Sequence, residues 1–569
     1  MKRWGGISFR GGFVTRLGGR LQIGRRLQTC PTAGQQRNEV RMTNRTIWAV
    51  AALAAVLTGC TVGPKYTPPA RQAPPAYKES AANIPPYTPN LNAATAGDPT
   101  LGGLGTWTVA QPQDAQLRGK WWEIYNEPEL NSLEEQLNIN NQNIKQYFEN
   151  YMAARALVRE ARSQLFPTVT VGPSLSSSQS SRSLGSGALA AGGAGGAASF
   201  TGGASNSVNT LIDLPVNASW EPDLWGKVRN TIHQEQYAAQ ISAADLENER
   251  LMEQAALATY FFELRGQDAL QQILDATVAA DQKSLDINRA AYQAGTGDQI
   301  AVIQAENTLE SAQSQAANLG IARAQYEHAI ATLIGKAASD FSLPARPALV
   351  TPPSIPIGLP SQLLERRPDI AAAERAMAEA NAQIGIAYAA YYPNISLSGG
   401  AGFESSTWKH IFDWASRFWS VGASASETVF DAGLRRATVN QFIATYNADL
   451  AFYRQTVLNG FQQVEDELAA LRILTDQIKV QRQAVESARS ALDLEQKRYD
   501  TGIDPYIDVV AQQNTLLAAQ QVLAGIEIQR AVASVQLIEA LGGGWDRSQL
   551  PTPGQVAAKP AKDQTSIQQ

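Results

Sequence analysis

The chain has 569 residues and a formal net charge of −5, with 17% charged and 8% aromatic residues. That length supports several packing units, and no long basic run offers a surface for nucleic acid. Ten Lys or Arg and one Glu precede residue 60, so the remainder carries a formal −14, which argues against electrostatic binding of nucleic acid or anionic lipid.

The first element is a leader. Ile47 to Leu57 is apolar, too short for a permanent span, and follows Arg45 as the core of a signal peptide follows its basic start. Leu57-Thr58-Gly59-Cys60 resembles a lipobox, so 42–59 reads as a lipoprotein signal peptide and residues 1–41 as an upstream extension. Cys60 is then the lipidation site, carrying diacylglycerol and an N-acyl chain, and it is the only cysteine left after processing. The competing reading is a soluble protein with a chance Leu-Thr-Gly-Cys. Beyond the leader no apolar stretch reaches the ~20 residues that a spanning helix needs. Any membrane crossing must therefore use strands.

Residues 60–128 are Pro-rich and extended. A first unit, 129–343, begins with a helix from about 129 to 164 that Phe166-Pro167 stops. Its hairpin, 168–220, alternates: Val169, Val171 and Leu175 oppose Thr168, Thr170 and Ser174, and Ile212, Leu214, Val216, Ala218 and Trp220 oppose Asp213, Asn217 and Ser219. Between its strands lies a Ser/Gly/Ala-rich loop, 176–209. A helix from Lys227 to about Gln293 follows, turned by Gly295-Thr296-Gly297 into a return helix. Residues 344–367 form a Pro-rich linker and equatorial segment. A second unit, 368–542, repeats the order: helix, hairpin 394–430, long helix from Leu434 to Asp500, turn at Gly502, return helix. Residues 543–569 read as a flexible tail.

The repetition extends to residues. Tyr292-x-x-Gly295 matches Tyr499-x-x-Gly502, and Asn307-Thr308-Leu309 matches Asn514-Thr515-Leu516. Each strand segment has about the length of a bilayer-spanning strand, yet four strands cannot close a barrel, and an open edge in lipid leaves backbone groups unsatisfied. Three copies would supply twelve. The alternative is an ordinary sheet in a soluble domain. Val457, Phe461, Val464, Leu468 and Leu471 form a coiled-coil stripe that helices about 100 Å long must bury side by side.

Several motifs carry a resemblance. Cys60-Thr61-Val62-Gly63-Pro64-Lys65-Tyr66, Trp121-Trp122, Pro128-Glu129-Leu130, Trp220-Glu221-Pro222-Asp223-Leu224-Trp225-Gly226-Lys227 and Leu363-Leu364-Glu365-Arg366-Arg367-Pro368-Asp369-Ile370 resemble TolC-type outer-membrane efflux proteins, in the lipoprotein branch often called NodT-type. The resemblance implies a mostly α fold with membrane β: a homotrimer, four strands per chain in a shared twelve-stranded β-barrel, continued by a twelve-helix periplasmic α-barrel. It implies outer-membrane lipid around the barrel, a periplasmic membrane-fusion adaptor and an inner-membrane RND transporter as partners, and passive export of drugs or toxic organics. A lipid-anchored periplasmic adaptor or coiled-coil scaffold is the rival reading, but it should lack the paired alternating segments.

By the same resemblance, Asp508 and Ile507 stand at a periplasmic gate. Three Asp508 carboxylates around one axis would favour cations; the alternative is a solvated or capping Asp. Ala511 lacks the Asp of relatives. Tyr499 and Arg498, with Tyr292 and Arg289 in the duplicate, either tie inner to outer helices or simply pack at helix ends, and Gly295 and Gly502 make the turns. Trp220, Trp225, Trp408, Trp414 and Trp419 suit an aromatic girdle, with core packing as the alternative for Trp225. Glu365, Arg366, Arg367 and Asp369 fit helix initiation and ion pairing. His233, His328 and His410 lack metal-ligand spacing and Gly335-Lys336 is no phosphate loop, so neither an enzyme nor a cofactor is expected.

Overall fold

The computed structural model describes residues 61–69, 73–74, 77–79, 119–179, 208–347, 350–353, 355 and 360–558. Cys60, the leader, the upstream extension and the interior of the 176–209 loop lie outside the described residues.

The first helical stretch is two helices rather than one, α1 (Pro128–Asn140) and α2 (Gln142–Ser163). Asn141 breaks it: its Oδ1 accepts the Ile144 N–H at 3.0 Å and its Nδ2 donates to the Leu333 carbonyl at 2.9 Å. A cap and a tertiary bond together outweigh one more turn of helix. The chain then enters β1 (Thr168–Val171), β2 (Ser174–Ser178) and β3 (Asn209–Trp220). β1 and β2 pair with β3 in one common register, so they are a single strand interrupted at Gly172-Pro173. Gly172 donates to the Pro215 carbonyl at 3.3 Å, but Pro215 has no N–H to return and Pro173 has none at all.

The proline-free stretch forms α3 (Lys227–Gln293) and the return helix α4 (Gln299–Leu333). The linker and equatorial segment contains the short helix α5 (Pro360–Arg366). After it come α6 (Pro368–Ala389), β4 (Asn394–Ser405), β5 (Arg417–Ser426), α7 (Leu434–Asp500) and α8 (Tyr506–Ala540). The tail also departs from expectation. Its helix α9 (Pro553–Ala557) packs on α2 and α3, where Arg155 donates to the carbonyls of Val556 and Ala558 and Gln240 to that of Pro551. Through Ala558 the chain is therefore held down rather than free.

The duplication is geometrical. α3 and α7 are both 67 residues and α4 and α8 both 35. Adding 207 to the bounds of α3 or α4 gives those of α7 or α8, and adding 226 to those of α2 gives those of α6. At 67 residues, α3 and α7 each span about 100 Å. α3 packs on α2, α4, α6 and α8, while α7 packs on α6 and α8. The main core joins Trp121, Trp122, Leu130 and Leu137 to Phe261, Phe262, Ile330 and Val535. The Val457–Leu471 stripe lies in the neighbouring cores, against Tyr77, Leu363, Met377 and Leu537.

Candidate pore wall, tip and anchor

The sheet runs β1-β3-β4-β5, antiparallel throughout, with β2 continuing β1. Residues opposite one another in such a ladder share a face, so the register decides whether the alternating patterns coincide. They do. Val171 lies opposite Val216, Val216 opposite Ala401, and Ala401 opposite Trp419; Leu175, Leu214, Phe403, Leu397 and Val421 join the same face. The other face carries Thr170, Ser174, Asn217, Ser398, Gly400, Ser420 and Ser424. Val169, Val171, Leu175, Trp419 and Val421 all stand exposed, so apart from the buried Ile212 much of the apolar face has no cover among the described residues. Among the described residues both edges of the sheet, β1–β2 and β5, are unpaired. One apolar face, one polar face and two open edges are the attributes of a barrel segment. Trp408 and Trp414 are exposed at the far end of the second hairpin. Trp225 belongs to packing instead: it stacks on Tyr392 at 4.9 Å and donates to the Pro393 carbonyl at 2.8 Å.

At the opposite end, Gly295 (φ 75°) and Gly502 (φ 74°) close the two long hairpins in the left-handed conformation that favours glycine. The turns are duplicates: Gly295 donates to the Tyr292 carbonyl and Gly502 to that of Tyr499, at 3.0 and 2.9 Å. The tyrosines behave differently. Tyr499 on α7 donates its hydroxyl to Asn288 Oδ1 on α3, a bond between the two repeats, while Tyr292 is exposed. The arginines stay within their own hairpins, Arg289 pairing with Glu306 at 2.6 Å and Arg498 with Asp504. Ile507 and Asp508 are exposed on the first turn of α8, opposite Tyr506, Val509 and Val510, which bury against Leu285 and Leu309. The tip is acidic. Glu495 is held above its usual range by its hydrogen bond with Asp504, whose own carboxyl is drawn down by Arg498.

Sequence reading missed Asn288, Asp504, Glu495 and Asp281. Asp504 was within reach, since it follows Arg498 across the Gly502 turn. Asn288 and Asp281 gain meaning only from the repeat packed against them. The Arg366–Asp369 cluster is structural as expected: Arg367 pairs with Asp369 at 2.6 Å and donates to the Ala540 carbonyl at 3.0 Å.

A third feature lies where strands become helices. Residues 61–69 form an extended strap, with Val62 donating to the Trp225 carbonyl at 3.1 Å and accepting from Asn230 Nδ2 at 3.3 Å. Asn381 holds the Pro64 carbonyl and Tyr66 donates to Glu374 Oε1 at 2.6 Å. The residue after Cys60 therefore sits beside the end of β3 and the start of α3.

Among the described residues no helix is long and apolar enough to cross a membrane, and no His, Cys, Asp and Glu cluster could hold a metal. A family model described as outer membrane efflux protein matches residues 133–336 and 359–543. The chain is 30% identical over 507 residues to the probable efflux pump outer membrane protein SepC and to the toluene efflux pump outer membrane protein TtgF, both of Pseudomonas putida; the match covers 88% of this chain and 98% of each relative. Among solved structures, the outer-membrane channel OprN matches with a TM-score of 0.72 at 27% identity, covering 85% of this chain and 100% of that one. The chain belongs to the outer membrane efflux protein family: it has the TolC-type channel fold and is the outer-membrane exit channel of an efflux pump, not an enzyme.

Proposed function

We propose that three copies of this chain form the exit duct of a tripartite pump, receiving cargo from a periplasmic adaptor coupled to an inner-membrane RND transporter. The observation that carries the reading is the sheet, whose continuous apolar face and two open edges need both lipid and further strands. Three such sheets supply twelve strands, and α3 with α4 and α7 with α8 continue the wall into the periplasm. The pore face of Ser, Gly and Asn discriminates by size and charge, so the choice of cargo falls to the transporter. The toluene efflux relative supports small toxic organic molecules as that cargo. Electron imaging of the detergent-purified protein tests the assembly: threefold cylinders about 140 Å long, from about 100 Å of helix and about 40 Å of membrane region, are expected. Thin hairpins without a detergent belt at one end would refute it.

The tip is the gate in this reading. The Tyr499–Asn288 bond holds the repeats together on the closed side, and Asp508 lines the axis with Ile507. Asp508→Ala should reduce the cation preference of the pore in bilayer recordings by several-fold. Unchanged selectivity would remove Asp508 from the axis.

Cys60 is the lipid anchor. The strap beside Trp225 supports this, because its first described residue, Thr61, lies next to the strands' inner ends, where an acyl chain reaches the inner leaflet without crossing it. Intact-mass measurement should show an acylated N-terminus at residue 60, and Cys60→Ala should abolish it. An unmodified cysteine there would end this part of the proposal.

A further inference from the structure

The internal duplication specifies how one subunit joins the next. Adding 226 to β1 and β2 and 207 to β3 converts the first hairpin's register into the second's: Thr168–Ser219 becomes Asn394–Ser426, Val171–Val216 becomes Leu397–Ala423, and Leu175–Ile212 becomes Ala401–Trp419. Each of these converted pairs is a pair the structure contains. The two repeats therefore share one strand geometry. The ladder between repeats, β3 with β4, has no counterpart among the described residues, where β5 and β1–β2 are the open edges. In a closed ring of repeats, that ladder must recur between β5 of one copy and β1–β2 of the next.

We propose that the subunits pair in the register these same shifts dictate. Asn217–Gly400 becomes Ser424 against Ser174, Val216–Ala401 becomes Ala423 against Leu175, and Pro215–Gly402 becomes Gly422 against Ser176, the second residue in each case belonging to the neighbouring copy. The inference rests on the trimer reading and adds the register to it. Chemistry agrees with the arithmetic. The dictated pairs put Leu175 with Ala423 on the apolar face and Ser174 with Ser424 on the polar one, whereas a slip of one residue would turn every side chain of a strand to the wrong face. Pro173 fits as well. Gly172 bonds inward to β3, so the backbone of residue 173 faces the open edge, where a missing N–H costs one bond and discourages indiscriminate pairing.

The aromatics at the strand–helix boundary follow the same rule. Trp225 stacks on Tyr392 where the first repeat meets the second. The shift of 226 carries Tyr392-Pro393 onto Phe166-Pro167, and Phe166 is 70% exposed. The residue at Trp225's position is Ala432, but Phe430, two residues before it, is 85% exposed and supplies the missing aromatic from there. Phe430 of one copy covers Phe166 of the next in place of the Trp–Tyr stack.

Cysteine pairs in the full-length protein, oxidised in native membranes, test the register. Ser174 bonds toward β3, so Ser174 and Ser424 form a non-hydrogen-bonded pair with Cα atoms about 4.5 Å apart, close enough for a disulfide. Ser424→Cys with Ser174→Cys should give covalent dimers and trimers at least tenfold more efficiently than Ser424→Cys with Gly172→Cys or Ser176→Cys. Preferential crosslinking at 172 or 176 would overturn the register and leave the trimer standing. No crosslink at any of the three, with monomer by native mass, would overturn both. Phe166→Ala and Phe430→Ala should each lower the dissociation temperature of the trimer, and their combination should lower it little further; additive losses would separate the two rings.

Discussion

Asp281 is 2% exposed on α3, with one carboxylate oxygen lacking a partner, and burial alone pushes its carboxyl up to about 6. It faces Tyr506 at the start of α8, so it sits where the two repeats meet near the tip. The sign follows from the raised value. Between the ordinary Asp range and about pH 6 the packed state holds a proton that the opened state releases, so packing is favoured in acid and loses that contribution as pH rises through 6. At pH 7.5 the buried charge costs up to about 3 kcal/mol, because each tenfold weakening of the acid is worth about 1.4 kcal/mol. Amide exchange of residues 506–517, corrected for intrinsic rate, should be slower at pH 5 than at pH 7.5 and should lose that difference in Asp281→Asn. An equal pH response in the variant would exclude Asp281. Arg265 carries the opposite risk. It is 1% exposed and joins Asp268 at 2.8 Å, Glu129 and the Pro344 carbonyl, while Asp268 also receives Arg323 at 2.7 Å. Arg265→Met unpairs Glu129 and takes one of two arginines from the buried Asp268, and should cost about 3 kcal/mol, read as a lower unfolding temperature; a shift no larger than that of Lys479→Met, an exposed pair, would contradict this. Glu134 shows how a residue's role escapes its sequence. It follows Leu130 and Leu133 on the buried stripe of α1, and burial pushes its carboxyl well above the usual carboxylate range. Its place four residues after Leu130 and three before Leu137 puts it on that stripe, but the sequence does not show that the packing there excludes water from a carboxylate.

At the level of elements, the long helices were legible because nothing competes with them. Their bounds at Lys227, Gln293, Leu434 and Asp500 follow from glycines at fixed places in both repeats, Gly226 and Gly295 in the first and Gly433 and Gly502 in the second. The break at Asn141 was not legible, since the Leu333 carbonyl that rewards it is nearly two hundred residues away. Gly266 is a second such case. A helix-interior glycine costs about 1 kcal/mol relative to Ala, and nothing local explains it. In the fold, a Cβ at 266 would lie 2.3 Å from the Ile528 side chain, so the glycine lets α3 and α8 cross closely. Gly266→Ala should therefore destabilise by about 1–3 kcal/mol despite its better helix propensity. Pairing it with Ile528→Val should restore part of the loss, and a stabilising Gly266→Ala would show that the crossing is not tight.

For the whole molecule, the division of labour is clear. The duplication, the long helices, the turns and the alternation of every strand are written in the amino-acid order alone, because they depend on local periodicity and on proline and glycine. The same order also carries the family, through motifs from Trp121 to Ile370. That the four alternating patterns merge into one apolar and one polar face emerges only in the folded chain, because register is a relation between strands far apart in sequence. Tertiary packing likewise decided that Tyr499 crosses to the other repeat while Arg498 stays within its own, and that the tail through Ala558 is pinned by Arg155. Each of these depends on which surface arrives opposite a side chain, and a periodic pattern contains no record of that.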